Sequence, residues 1–211
     1  MNPTSNGDLD SIAEINARVP GWSDERQYGF FKKLFAENPG IYDMLMLGVY
    51  HGRDLCYIVD ILRRYHAGRT MRIIGADRFT AERCADWPRW VETWEELTHG
   101  MPPPNLRAAE KNIDSDYVEL FMRDDVDFLE SLARQKSKFD CIYVDTSHDY
   151  KSVRAVLQLV PSVGKAGAII CGDDYVEANG WGVVRAVNES FCNITLHAGH
   201  IWVTTVEDAA P

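Results

Sequence analysis

Two groups of acidic residues follow apolar runs in the second half of the chain. The run FDCIYVD ends in Asp145, and AIICGDD ends in Asp173 and Asp174. If these runs are neighbouring parallel strands, about 4.8 Å apart, the three carboxylates converge at one edge of a sheet. Converging carboxylates repel one another unless a cation neutralises them. Oxygen ligands favour a hard ion, so the pattern predicts a Mg²⁺ site, with Ca²⁺ or Mn²⁺ as alternatives.

A histidine stands beside the first of these groups. His148 follows Asp145 by three residues, and an imidazole that titrates near neutrality suits a general base. Each feature alone has a structural explanation: solvated loop acids, a helix cap at Ser147, or a surface histidine. Their joint occurrence at two predicted strand ends favours a functional site.

A glycine turn precedes these features in the chain. Gly48 and Gly52 enclose the sequence GVYHG between an apolar run and a helical pattern. Glycines let a ligand approach the backbone, and the start of the helix offers unpaired N–H groups, although a tight structural turn explains the pattern equally well. The turn is not the G-x-G-x-x-G fingerprint, which argues against a dinucleotide cofactor.

Two further acids end predicted strands. Asp77 closes the run MRIIGAD, where a carboxylate either accepts the hydroxyls of a ribose or caps the next helix. Asp124 follows the run YVELFMR, where it either contacts an adenine ring or caps a helix. Both alternatives stay open at this stage.

The elements that carry these residues alternate regularly. Apolar runs predict strands at 43–49, 71–77, 117–123, 139–145 and 166–174, with a short pair at 193–197 and 201–206. Helical patterns lie between them at 53–66, 81–99, 125–135, 149–160 and 182–191. This order predicts an α/β, Rossmann-like doubly wound sheet of seven strands, mostly parallel, with an antiparallel C-terminal pair and helices on both faces.

The N-terminal part reads differently. Residues 1–10 are polar and predicted to be frayed, and 11–37 are helical with a break at Pro20-Gly21. We expect residues 1–40 to form an N-terminal helical segment, a lid or a subunit contact, and 41–211 to form the domain that carries the site. The stripe of Trp87, Trp90 and Trp94 is either a packing face or a surface that stacks on a ligand ring.

Composition limits the class of protein. The 211 residues include five cysteines without a CxxC pair, and the net charge is −10. This charge argues against nucleic-acid or anionic-membrane partners. The N-terminus has no signal-peptide pattern and no run is long enough to span a bilayer, so we expect a cytoplasmic protein. A homo-oligomer is compatible with the sequence.

The motifs together resemble a known family. The stretches GVYHGRD, IIGAD, YVDTSHDYKSV, AIICGDDY and GVVRAVNESF resemble class I S-adenosylmethionine-dependent methyltransferases. The resemblance is greatest to metal-dependent O-methyltransferases of sugars and natural products, the macrocin O-methyltransferase and cephalosporin hydroxylase-like group, and it covers about residues 41–206.

The resemblance implies a role for each candidate residue. The cofactor would be S-adenosylmethionine, with its methionine end at the glycine turn, its ribose at Asp77 and its adenine near Asp124. Residues implied to contact it are Gly48, Tyr50, Gly52, Asp54, Asp77, Asp124 and Asp145. Asp145, Asp173 and Asp174 would bind the divalent ion, and His148 would take the proton of the substrate hydroxyl.

Two positions depart from the family pattern. The family has an acid two residues before the first glycine, where this chain has Met46, and a small hydroxyl residue where Asp54 stands. Asp54 would repel the cofactor's carboxylate unless it turns toward the cofactor's ammonium group.

The sequence therefore predicts an S-adenosylmethionine- and magnesium-dependent O-methyltransferase acting on a small polyhydroxylated molecule. The alternative is a non-catalytic accessory protein of the same fold that binds the cofactor.

Overall fold

The computed structural model describes residues 5–82, 91–178 and 181–209. Its strands are β1 Asp43–Leu47, β2 Arg72–Asp77, β3 Val118–Met122, β4 Phe139–Val144, β5 Gly164–Gly172, β6 Thr195–His197 and β7 Ile201–Thr205. Its helices are α1 Asn6–Arg18, α2 Glu25–Glu37, α3 Arg53–Tyr65, α4 Trp94–Thr98, α5 Leu106–Ile113, α6 Asp125–Arg134, α7 Tyr150–Val163 and α8 Val183–Ser190. None of the helices in these ranges is long and apolar enough to cross a membrane.

The strands form one sheet in the order β3-β2-β1-β4-β5-β7-β6. The first five strands in this order run parallel, whereas β7 is antiparallel to both β5 and β6. The predicted fold class is therefore confirmed, and β4 pairs with β5, the condition on which the two acidic groups were expected to converge. In such a sheet the carboxyl ends of the parallel strands lie at one edge, where ligands of open α/β sheets bind.

Apolar side chains alternate between the two faces of the central strands. On β1, Met44 and Met46 belong to one buried cluster, and Leu45 and Leu47 belong to another. The first cluster is covered by α1, α2 and α3, and the second by α6, α7 and α8. Burial on both faces explains why β1 reads as a continuous apolar run.

The N-terminal helix begins earlier than the sequence predicts. Residues 6–10 are helical rather than frayed, because Ser5 and Asp8 form a capping box. The Ser5 hydroxyl accepts from the Asp8 N–H, and the Ser5 N–H donates to the Asp8 carboxylate at 2.7 Å. Two backbone N–H groups at the helix start are thereby satisfied.

The predictions differ most from the structure between β2 and β3. The predicted helix 81–99 is wrong over its described part, since only Trp94–Thr98 is helical there. Trp87 and Trp90 of the predicted stripe lie outside the described residues. Helix α5 was not predicted; it begins after Asn105, whose side chain accepts from the Ala108 N–H at 2.9 Å.

Candidate active site

The glycine turn joins β1 to α3 in a conformation that requires its glycines. Gly48 has a φ of +84° and Gly52 a φ of +83°, a region that L-residues with a Cβ seldom occupy. A Cβ at Gly48 would stand 1.6 Å from the carbonyl oxygen of Asp145, and one at Gly52 would meet Ile113 at 2.7 Å. The turn therefore passes directly against the end of β4.

Asp77 holds this turn in place. One carboxylate oxygen accepts from the N–H groups of Val49 and Tyr50, both at 2.8 Å, and the other accepts from the Phe79 N–H at 2.6 Å. A carboxylate offers about four acceptor positions, so the three donors from the described residues leave one position that a ribose hydroxyl could use. The structural role is observed, and ribose binding stays a prediction.

Tyr50 packs into an aromatic cluster above the turn. Its ring lies 4.9 Å from that of Trp22 and 6.0 Å from that of Trp94. Its hydroxyl donates to the carbonyl of Pro102 at 2.6 Å, and burial raises its pKa to about 12. The turn is thus covered by the connection between α1 and α2 and by the segment after α4.

Asp124 and Asp125 are adjacent at the start of α6 but differ in their surroundings. Asp124 is exposed and caps α6, accepting from the N–H groups of Val126 and Asp127 at 3.0 and 3.4 Å. Asp125 is more buried, and its pKa is raised to about 8 by burial and by the charges of Asp77 and Asp124. Asp124 is therefore a helix cap in the structure, and the adenine contact predicted for it stays a prediction.

Four acidic residues follow β4 and β5 or begin α3: Asp145, Asp173, Asp174 and Asp54. Burial raises the pKa of Asp145 well above its usual range, and the charges of Asp174, Asp173 and Asp54 add to this effect. Burial also raises the pKa of Asp54 to about 7. The charges of Asp173, Asp174 and Asp54 thus act on Asp145, and the shared metal site predicted for Asp145, Asp173 and Asp174 stays a prediction.

The sequence analysis did not identify three side chains that contact these residues: Gln27 and His200 contact Asp173, and Trp181 contacts His148. Asp173 accepts from Gln27 Nε2 at 2.8 Å and pairs with His200 Nδ1. Gln27 comes from α2 and His200 from the turn before β7. The only available signal was the predicted C-terminal strand pair, which placed His200 near the end of the sheet.

His148 contacts one of these acids, and its predicted role as a general base stays a prediction. Its Nε2 is 2.9 Å from Asp174 Oδ2. The indole of Trp181, the third side chain that was not predicted, stacks on its ring with centroids 4.2 Å apart and planes inclined by 13°. The Gly182 N–H donates to the His148 carbonyl at 2.7 Å, so the chain before α8 is tied to the turn after β4.

The donors at this edge suit a hard cation by type and charge, but they are not gathered around one point. Asp173 is engaged with Gln27 and His200, and Asp174 with His148. Among the residues that the structure describes, no group of three His, Cys, Asp or Glu side chains is arranged to hold a metal ion.

The comparisons with known proteins agree with the fold and the glycine turn. Residues 45–175 match a family model described as a methyltransferase domain. The match spans more than half of the chain and includes the turn, Asp77 and the acidic group. The chain belongs to this methyltransferase family, and the sequence-based interpretation as an S-adenosylmethionine-dependent methyltransferase is confirmed.

Solved structures show the same fold at low identity. CalS11, a calicheamicin methyltransferase, has a TM-score of 0.64 and 16% identity, covering 95% of this chain and 93% of its own. An O-methyltransferase from Bacillus cereus in complex with SAH has a TM-score of 0.59 and 16% identity, with 97% and 93% covered. The O-methyltransferase NovP has a TM-score of 0.63 and 14% identity, with 85% and 79% covered. No curated protein matches the chain.

Proposed function

We propose that the protein transfers the methyl group of S-adenosylmethionine to a hydroxyl oxygen of a small polyhydroxylated molecule, a sugar or a natural product. The observation that carries the proposal is the pair of His148 and Asp174, 2.9 Å apart, at the strand edge that also holds the glycine turn. A histidine backed by a carboxylate suits removal of a hydroxyl proton. The structural similarity to CalS11, a calicheamicin methyltransferase, supports a natural product as the acceptor.

The cofactor already carries an activated methyl group, so little chemistry is required of the protein. The glycine turn would hold the cofactor so that the sulfonium and the acceptor oxygen are in line. The cofactor would supply the methyl group, which would form a C–O bond as the S–CH₃ bond breaks and S-adenosylhomocysteine leaves, and His148 would take the hydroxyl proton. The carboxylate of Asp174 would stabilise the imidazolium that results.

We further propose that a divalent cation takes part, held by Asp145, Asp173 and Asp174. A bound cation would lower the pKa of the acceptor hydroxyl and fix its position. The raised pKa of Asp145, caused by burial and by the neighbouring acids, supports a need for positive charge. Binding would require Asp173 to release Gln27 or His200, whereas Asp174 would offer Oδ1 and keep its Oδ2 contact with His148.

Two measurements test these proposals. Calorimetric titration should show that S-adenosylhomocysteine binds and that NAD does not. Transfer of a radiolabelled methyl group to a panel of glycosides and catechols should then occur with Mg²⁺ and stop in excess chelator.

Each outcome has a distinct meaning. Failure to bind S-adenosylhomocysteine would contradict the proposed function as a whole. Binding without transfer to any acceptor would favour the accessory protein. Full activity in excess chelator would contradict the cation alone. A titration with Mn²⁺ followed by electron paramagnetic resonance would test cation binding without relying on turnover.

A further inference from the structure

The indole of Trp181 lies flat against the His148 ring. The two ring centroids are 4.2 Å apart and the planes are inclined by 13°. Burial alone does not hold His148 in place, since 33% of its side chain is exposed. The contact of its Nε2 atom with Asp174 fixes the position of one ring atom, but a single hydrogen bond still lets the ring turn about it. Stacking against a flat neighbour restricts that rotation.

The backbone around Trp181 is tied to the turn after β4. The Gly182 N–H donates to the His148 carbonyl at 2.7 Å, and the Trp181 N–H donates to the Ala178 carbonyl at 3.0 Å. A Cβ at Gly182 would stand 2.4 Å from the Cβ of Tyr150, the first residue of α7. Only glycine allows so close an approach, so local backbone contacts place the indole beside the imidazole.

Packing in the core does not explain the position of Trp181. Its exposed fraction is 37%, whereas that of Trp202 is 1%. Trp202 stacks on Phe191, and both belong to one of the two buried clusters. Trp181 belongs to neither of the clusters that the described residues form, and its ring stacks on His148. Its aromatic contact is therefore made at the candidate site and not in the core.

We propose that Trp181 is a positioning residue that holds the imidazole of His148 in the orientation in which it takes the proton of the acceptor hydroxyl. This inference rests on the proposed function. A ring nitrogen accepts a hydrogen bond best when the donor lies in the ring plane, along the lone pair, and proton transfer to a general base needs that geometry. Asp174 would set the position of Nε2 and Trp181 the plane of the ring, so the two contacts together would preorganise the base.

Two variants separate the flat ring of Trp181 from the bulk of its side chain. Trp181→Leu removes the aromatic face, whereas Trp181→Phe keeps one. The acceptor is the glycoside or catechol that the unaltered protein methylates fastest. We expect Trp181→Leu to lower kcat by about 10- to 100-fold, because misplacing a reacting group by about 1 Å costs roughly 100-fold. The KM for that acceptor and the calorimetric affinity for S-adenosylhomocysteine should stay unchanged, and Trp181→Phe should keep most of the kcat.

Proton NMR of the imidazole measures the stacking without relying on turnover. Protons that lie over an indole face are shifted upfield by its ring current, so the His148 signal, assigned by its loss in His148→Ala, should be shifted upfield in the unaltered protein. The shift should disappear in Trp181→Leu and be partly kept in Trp181→Phe. Tyr42→Leu is the matched control: Tyr42 is an exposed aromatic residue directly before β1, at the opposite end of that strand from the glycine turn. It should change neither kcat nor the His148 signal.

The possible failures are distinct. An unchanged kcat in Trp181→Leu would overturn the inference, and so would the absence of an upfield shift in the unaltered protein. A raised KM with unchanged kcat would overturn it as well, because Trp181 would then bind the acceptor instead of orienting His148. An equal loss of kcat in Trp181→Phe and Trp181→Leu would show that the flat ring is not what matters. If the unaltered protein transfers a methyl group to no acceptor, the proposed function itself fails, and the inference fails with it.

Discussion

At the scale of single residues, the candidate site contains buried acids whose placement lowers the stability of the fold. Asp54 and Asp145 are acids whose pKa values are raised chiefly by burial. Such placements lower stability and concentrate at functional sites. Asp54 and Asp145, both candidate site residues, should therefore lower the free energy of unfolding.

Asp54→Asn should stabilise the protein at high pH. The folded-state pKa of Asp54 is about 7, against 3.8 for an unperturbed aspartate. The folded protein thus retains a proton that the unfolded chain has lost, and stability falls as the pH rises from about 4 to 7. A shift of about 3 units corresponds to roughly 4 kcal/mol above pH 7.

The measurement is urea denaturation of both proteins, with chelator and without cofactor, at pH 4 and pH 8. The Asn variant should gain several kcal/mol relative to the parent at pH 8 and little at pH 4. An equal difference at both pH values would show that Asp54 does not titrate as its burial implies.

His148→Ala should lower the rate of methyl transfer without weakening cofactor binding. Removing a general base typically costs 10²- to 10⁴-fold in kcat. Only a neutral imidazole accepts a proton, so the acidic limb of the pH–rate profile should disappear as well. His99→Ala, at an exposed histidine, is the control. An unchanged kcat with the same acidic limb would show that His148 does not act as the general base.

At the scale of elements, the site depends on how closely β1 and β4 end beside each other. The Asp145 N–H donates to the Leu47 carbonyl at 2.8 Å, and the Gly48 backbone lies against the Asp145 carbonyl. The glycine turn and the acidic group are therefore parts of one junction, and displacing either strand end displaces both.

Gly48→Ala tests this junction, with Gly68→Ala as its control. Both glycines have a φ near +85°, so alanine is strained at each by about 1 kcal/mol. Only at Gly48 would the added Cβ collide with backbone, whereas at Gly68 nothing lies within 4 Å. We expect Gly48→Ala to lose more than about 3 kcal/mol of unfolding free energy, or to fail to fold. Equal losses in the two variants, measured by denaturation, would contradict this picture of the junction.

At the scale of the whole molecule, the N-terminal helices share the core of the sheet. Phe31 of α2 and Ile58 of α3 belong to the same buried cluster as Met44 of β1. A buried acid reinforces this packing: Asp8 of α1 is 2.8 Å from Lys32 of α2, and it accepts from the hydroxyl of Tyr65 of α3. The division at residue 40 into helical segment and cofactor domain stays a prediction, as does the role of the segment as a lid or subunit contact.

Asp8→Asn should therefore weaken the whole fold and not only its N-terminus. Breaking a buried ion pair typically costs about 3–5 kcal/mol, and the loss should appear as a shift of one cooperative transition followed by both near- and far-ultraviolet circular dichroism. Asp10→Asn, at an exposed position of the same helix, should change stability by less than about 0.5 kcal/mol. Two separate transitions would instead support an independent N-terminal unit.

The amino-acid sequence was sufficient to predict the sheet and the strand ends that carry the site. Buried parallel strands are continuous apolar runs, and their polar ends stand out against them, so Asp77, Asp145 and Asp173 could be placed at one edge without coordinates. The adjacency of β4 and β5 remained a condition at that stage, and the structure supplied it. Helix α5 and the interval before it were not predicted correctly, because local patterns there are short and interrupted by prolines.

The partners of the site residues were decided by tertiary structure alone. Gln27 reaches Asp173 across 146 positions of the chain, and Trp181 stacks on His148 from the segment before α8. Which of Asp124 and Asp125 caps α6 depended on where that helix begins. Such contacts depend on how whole elements pack in three dimensions, and neither periodicity nor spacing along one chain encodes that packing directly.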